Sequence, residues 1–335
     1  MGTDRKILRL GTAVILCATL IRLFAGGLSE KLTQAVSREQ LAQLLFFLQT
    51  GRQISVMAQQ PEPEPIPTLP PKREVPAAAA AEKQPLVLTQ ADADSLQIQN
   101  GSGYPLDVQP LMEKPLLWDL HSDAPTVLIL HTHGTESYEN TEGYAASSAY
   151  RTLDENYNMI SVGEHLAASL EAAGIQVIHD KTPYDYPSYS GSYTQARHAV
   201  EAHLAENPSI CLVLDIHRDA MEDGSGNQIG YTAETPSGTA AKLMLVCGSD
   251  AGGLSYPNWQ ENLALTVKLQ AALERQSPGL CRPVSLRTGR YNQDLFANMV
   301  LIEVGAAGNT RQQALLAVEQ LALAIGQMAQ GVTYE

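Results

Sequence analysis

Residues 210–216 read ICLVLDI, a run that is apolar at every position but Asp215. A half-exposed strand shows polar residues at every second place, so an unbroken run fits a strand covered on both faces. Such strands sit beside parallel neighbours, which need crossover helices to join them. The rest of the globular part obeys that constraint. The patterns predict further strands over 126–130, 175–178, 243–247, 284–286 and 300–304, and helices over 158–173, 194–205, 258–275 and 310–328. Gly174 closes the first of those helices and Pro208 lies past the end of the second. The order predicts an α/β fold, a mostly parallel sheet with helices on both faces.

The chain before that region has a different character. Arg5, Lys6 and Arg9 precede an uncharged, mostly apolar stretch over 10–21. A basic start and a short apolar core are the marks of a secretory signal. Arg22 can snorkel and residues 23–28 lengthen the apolar run. Residues 1–28 are therefore expected to be an uncleaved signal anchor, with a cleaved signal or a buried helix as alternatives. Within 29–60, residues 37–54 carry an amphipathic helical pattern that Ser37 could cap. Eight prolines fall within 61–85 and hold the backbone extended. Residues 61–95 thus read as a stiff spacer, and 96–335 as the domain that carries the chemistry.

Lys and Arg number 22 against 36 Asp and Glu, a net charge of −14. That excludes nucleic acid as a partner, since no basic face is available to neutralise phosphates. Cys17, Cys211, Cys247 and Cys281 show neither a CxxC nor a zinc-ribbon spacing and predict no disulfide framework.

Open α/β sheets bind ligands at the carboxyl ends of their strands. Three predicted strand ends carry suitable groups. The first leads into HTHGTE, residues 131–136; the second carries Asp215, His217, Arg218 and Asp219; the last carries Glu303. In His133-Gly-Thr-Glu136 the loop glycine allows an imidazole and a carboxylate to turn toward one point. With His217 they form a donor set suited to catalytic zinc, which leaves one position for water. Glu303 is flanked by apolar residues, where a carboxylate is costly unless paired or in use. It is the candidate base for such a water. Each element alone has an ordinary reading: a chance HxxE, or a hydrogen-bonded structural histidine. Their convergence on strand ends favours a metal site.

Alternatives stay open around this set. His131 competes with His133 as a ligand, or orients one. Glu155 could replace Glu136, or serve only as an acid near a helix N-terminus. Arg218 could stabilise an oxyanion, or form a structural salt bridge with Asp219. Tyr184, Tyr186, Tyr189 and Tyr193 make a tyrosine-rich loop that could stack on sugar or peptide, or simply pack.

HTHGTESY, RTLDENYNMISVGEHLAASLEAAGIQVIHD, LVLDIHRDA and LIEVG resemble the stage II sporulation protein P family, over roughly residues 100–330. The resemblance implies a membrane-anchored peptidoglycan hydrolase of endospore-forming bacteria, acting outside the cytoplasm during engulfment. It implies a zinc N-acetylmuramoyl-L-alanine amidase, with endopeptidase activity on stem cross-links also credited to the family. The expected cofactor is Zn2+, held by His133, Glu136 and His217 with Glu303 as base. The expected partners are peptidoglycan, a membrane through the N-terminal helix, and stage II sporulation proteins D and M. LVLDIH and VLIEVG are also similar to segments of zinc amidases, and an HxxE with a distant His is similar to zinc carboxypeptidases. The amidase-type glutamate on the helix after the first strand is the departure, since only Glu155 could fill it. The rival readings are another zinc peptidase, such as a carboxypeptidase, and a non-catalytic wall-binding scaffold.

Overall fold

The computed structural model describes residues 84–141 and 143–335. The predicted anchor, the amphipathic segment and the spacer as far as residue 83 lie outside the described residues. Among the described residues no helix is long and apolar enough to cross a membrane.

The chain starts with β1 (Leu86–Leu88) and α1 (Gln90–Ser95), then β2 (Ile98–Asn100), α2 (Gln109–Glu113) and β3 (Val127–Leu130). The helix α3 (Met159–Ala172) leads to β4 (Val177–His179), and α4 (Ser192–Glu206) to β5 (Leu212–Asp219). A hairpin, β6 (Thr232–Thr235) and β7 (Gly238–Ala241), precedes β8 (Leu243–Cys247). The remainder is α5 (Trp259–Gln276), β9 (Val284–Leu286), β10 (Met299–Ala306), α6 (Arg311–Met328) and β11 (Val332–Tyr334).

Seven strands make one sheet in the order β2-β9-β8-β10-β5-β3-β4. Every neighbouring pair is parallel except β8 with β10. The exception has a local cause. The chain from β5 to β8 passes through a hairpin and no crossover helix, so β8 returns antiparallel.

Side-chain alternation explains the continuous apolar runs. Val127, Ile129, Leu212, Leu214, Ile216, Val300, Ile302 and Val304 face α3, α5 and α6 in the main core. The residues between them face the other way. Leu128, Leu130, Val213 and Met299 pack with Ala196 and Val200 of α4, and Met244, Val246 and Leu301 form a small cluster under Tyr291. Helices therefore cover both faces, three long ones on the first and α4 on the second. The under-covered part of the second face is where the polar residues gather. Caps fix two of the long helices: Asn158 Oδ1 accepts from Ile160 N at 3.0 Å, and Thr310 with Gln313 forms a capping box on α6. Each such cap is worth about 1 kcal/mol.

The spacer reading ran too far. Residues 86–95 belong to the folded unit, because β1 pairs in parallel with β11, Leu86 opposite Val332. Leu86 and Leu88 are buried while Val87 is exposed. That three-residue alternation is too short to register beside so many prolines. The short elements β2, β11, α2 and the hairpin escaped prediction for the same reason.

Candidate active site

Register brings the first two groups together. In the parallel β5–β10 pair Glu303 lies opposite His217, and Leu301 opposite Asp215. Ile216, Ile302 and Val304 point into the main core, so Asp215, His217 and Glu303 point to the under-covered face. His133 and Glu136 arrive on the turn that follows β3, with Glu136 N donating to His133 O at 3.1 Å. Beyond Glu303 the β10 ladder shifts register, and Gly305 takes φ 67°. A Cβ there would stand 2.6 Å from Asn309 Oδ1, so the bend requires glycine.

The cluster is compact. The rings of His133 and His217 meet edge to face at 5.3 Å. His217 Nδ1 lies 3.6 Å from Glu136 Oε2. His217 Nε2 lies 2.9 Å from Asp215 Oδ1. That approach gives Coulombic attraction, yet Nε2 makes no aligned hydrogen bond. Asp215 is itself held by Thr132, accepting from its N–H at 2.8 Å and its Oγ1 at 2.6 Å.

Burial and charge set the protonation states. Burial pushes the Glu136 carboxyl up, but His217, Arg218 and His133 outweigh it and hold it at about 2. Burial opposes charge on His217, yet Asp215 and Glu136 keep its pKa well above the ordinary imidazole value. His133 goes the other way, because burial lowers it more than Glu136 raises it. Burial pushes Glu303 up to about 7; Glu136 and Asp219 add to this, against the opposing charges of His217 and Arg287.

Two buried atoms here have no partner, His133 Nδ1 and Glu303 Oε2, while His217 Nε2 has only the ion-pair approach of Asp215. A buried polar atom without a bond costs about 1–3 kcal/mol, and two in one cluster mark a ligand site. Among the described residues no three His, Cys, Asp or Glu side chains are already arranged as a metal cage. Glu136 is turned instead toward Arg151 Nη2, at 3.2 Å from its Oε1, and toward the Arg218 N–H, at 3.3 Å from its Oε2. The donor chemistry nonetheless fits a cation, with the unpartnered His133 Nδ1 and the His217 ring beside an ionised carboxylate. Binding there would displace the proton from His217.

A family model described as stage II sporulation protein P matches residues 37–326. The chain belongs to the stage II sporulation protein P family. Stage II sporulation protein P of Bacillus subtilis (strain 168) is 29% identical over 203 residues, 57% of this chain and 48% of that one. The chain thus spans about half the length of the curated relative it matches. Similar solved structures include N-acetylmuramoyl-L-alanine amidase AmiC2 of Nostoc punctiforme, 15% identical over 60% of this chain and 93% of that one, TM-score 0.35. The CwlD amidase from Clostridioides difficile, solved with the GerS lipoprotein, is 17% identical over 60% of this chain and 94% of that one, TM-score 0.37. An N-acetylmuramoyl-L-alanine amidase from Clostridium difficile 630 is 18% identical over 62% and 95%, TM-score 0.35.

Within this family member, four of the residues expected at the site come together: His133, Glu136, His217 and Glu303. His131 does not join them. It continues the strand alternation onto the helix face, where Nδ1 lies 2.9 Å from Ile216 O and Nε2 lies 2.9 Å from His179 Nε2. Glu155 is exposed in the turn leading into α3. Arg218 has its guanidinium committed to a loop, with Nε donating to Ser137 O at 2.9 Å and Nη2 to Tyr150 O at 2.7 Å. Its expected salt bridge with Asp219 is absent, because Asp219 pairs with Arg282 at 2.7 Å. The tyrosine loop divides. Tyr184 is buried and Tyr186 exposed, Tyr189 stacks on His133 at 4.4 Å, and Tyr193 meets the same ring edge-on at 5.5 Å.

Sequence reasoning missed Arg151 and Asp185. Arg151 pairs with both Glu136 and Asp185 and lies over the Tyr189 ring at 4.8 Å. Asp185 also accepts from Thr135, at 3.2 Å from N and 2.5 Å from Oγ1. Together they fix the loop that presents Glu136. No local pattern marks either residue, since the partners come from three separate loops.

Proposed function

We propose that this domain hydrolyses peptidoglycan at the amide between N-acetylmuramic acid and the L-alanine of the stem peptide. The observation that supports it most is Glu303, in register with His217, its buried Oε2 without a partner and its pKa pushed up by burial to about 7. Such a group can accept a proton and return it within one turnover. His133, Glu136 and His217 would hold a zinc ion. When bound, that ion supplies activation of water and polarisation of the scissile carbonyl. Glu303 Oε2 takes the proton of the attacking water and delivers it to the departing amine nitrogen. The water oxygen bonds to the carbonyl carbon as the C–N bond breaks. Tyr189 and Tyr193 flank His133 and offer rings to sugar or peptide. Peptidoglycan as substrate is supported by membership of the family. The reading also places the domain outside the cytoplasm on an anchor at residues 1–28, acting with stage II sporulation proteins D and M.

Purified peptidoglycan incubated with the full chain, with and without chelator, tests this by mass spectrometry of the products. Stem peptides ending in a free L-alanine amine, lost on chelation and regained with zinc, are the expected result. Cleavage only within cross-links would move the assignment to an endopeptidase. Intact peptidoglycan under all conditions would overturn it.

A further inference from the structure

One arginine stands on the same face of the sheet as Glu303 without a carboxylate to pair with. In β9, Val284 and Leu286 enter the main core, so Ser285 and Arg287 project to the opposite face. That face carries Met244, Val246 and Leu301 under Tyr291, and Glu303 beyond Leu301. Ser285 is buried, and its Oγ accepts from Arg287 Nε at 2.9 Å. The guanidinium carbon lies 5.9 Å from the centre of the Tyr291 ring. Tyr291 meets Tyr193 at 6.0 Å, and Tyr193 meets His133 at 5.5 Å. These contacts form a continuous wall from the histidine cluster to Arg287.

The pairing of the other arginines sharpens the point. Arg151, Arg197, Arg218, Arg275, Arg282 and Arg290 each have a carboxylate nearby. Among the described residues Arg287 and Arg311 form no such ion pair, although Arg287 feels the charge of Glu303, and Arg311 is bonded to Ser161 of α3 on the helix face. Ser285 fixes Arg287 through Nε, and the Tyr291 hydroxyl is the guanidinium's other hydrogen-bonding neighbour, so no carboxylate occupies it. A guanidinium receives a carboxylate through two parallel bonds. The cleft's other arginines, Arg151 and Arg218, already face Glu136, so Arg287 is the cation on this wall with no carboxylate paired to it.

We propose that Arg287 is a specificity-determining residue that binds a carboxylate of the substrate and so seats an acidic peptide across Glu303. The proposal rests on the hydrolase reading above and names the chemistry of its substrate. The carboxylate could belong to the stem peptide of the intact substrate, or to the acid that hydrolysis leaves on the sugar side.

The test uses the full chain with zinc, on a muropeptide with free stem carboxylates and on the same muropeptide with those carboxylates amidated. The wild type is expected to prefer the free acid by about 10- to 100-fold in kcat/KM, mostly through KM. Arg287→Gln should abolish the preference by losing on the acidic substrate alone, and Arg287→Lys should restore part of it. If amidation changes nothing, but the acid product inhibits the wild type and not Arg287→Gln, the residue reads the product's carboxylate. An Arg287→Gln enzyme that keeps both the preference and the product inhibition overturns the proposal. So does an equal loss on both substrates, which marks a structural role. If the wild type turns over neither substrate, the hydrolase reading falls and calorimetric binding of the free and amidated stem peptides decides on Arg287. Tighter binding of the free acid, lost in Arg287→Gln, keeps the anion site; equal binding removes it.

Discussion

Glu303 pairs across β5–β10 with His217, and its Oε2 is buried without a bond. Replacing it with Gln keeps the shape and removes the proton acceptor. Glu303→Gln should lower kcat by about 10²- to 10⁴-fold on peptidoglycan while zinc content, read by metal analysis, stays unchanged. Its effect on stability has a sign. The folded pKa, about 7, lies above the ordinary 4.5, so the folded state holds the proton more tightly. In the chelated protein Glu303 therefore favours folding below about pH 4.5, and that contribution is lost as pH rises through about 7. Thermal unfolding in chelator should give Glu303→Gln the higher Tm at pH 8 and nearly equal values at pH 4. Much at this scale was legible. His133, Glu136, His217 and Glu303 are marked by residue type at strand ends. His131 was not separable from His133, because a sequence does not show at which residue a strand stops alternating. Asp185 and Arg151 carry no local signal at all. Asp185 is buried and holds Thr135 and Arg151, while the Arg151 side chain remains 27% exposed. Asp185→Asn should destabilise by about 2–3 kcal/mol in denaturant titrations, below the cost of breaking a fully buried pair. It should also weaken zinc binding by loosening the loop of Glu136.

Helix α3 lies against β3 and β4 at a point where two imidazoles replace aliphatic packing. Gly163 makes room for them: a Cβ there would stand 2.4 Å from His131 Nε2 and 2.5 Å from His179 Nε2. Alanine ordinarily favours a helix over glycine by about 1 kcal/mol. Here the clash should reverse that sign, so Gly163→Ala is expected to lower stability by about 1–3 kcal/mol in chemical denaturation. A gain in stability would show that the histidine pair yields without cost. The long helices and strands were legible, because caps, closing glycines and continuous apolar runs repeat through them. The reversed direction of β8 was not, because it depends on a hairpin whose strands have four residues each. Nor was the unequal covering of the two faces. It follows from where α4 crosses, and no periodicity within one helix reports that.

The folded unit of the described residues has two distinct ends. Helix α6 starts just after β10, beside the cluster, and its 18 residues run back for about 27 Å. It ends near β11, where Leu86 N donates to Gly331 O at 2.8 Å and Gln330 meets His121, ahead of β3. The chain therefore joins the folded unit at the amino ends of the parallel strands, opposite the cleft. The same junction makes β1 part of the fold, not of the expected spacer. Leu86 and Leu88 are 3% and 0% exposed, and burying a leucine contributes about 1.5–3 kcal/mol. A chain beginning at residue 96 loses both, along with the β1–β11 ladder, and leaves β11 as an open edge. Compared with a chain beginning at residue 84, it should be less stable by about 3–6 kcal/mol in urea and should tend to self-associate. Equal midpoints and equal sedimentation for the two would show that β1 contributes nothing, and that the tether begins where the proline pattern suggests.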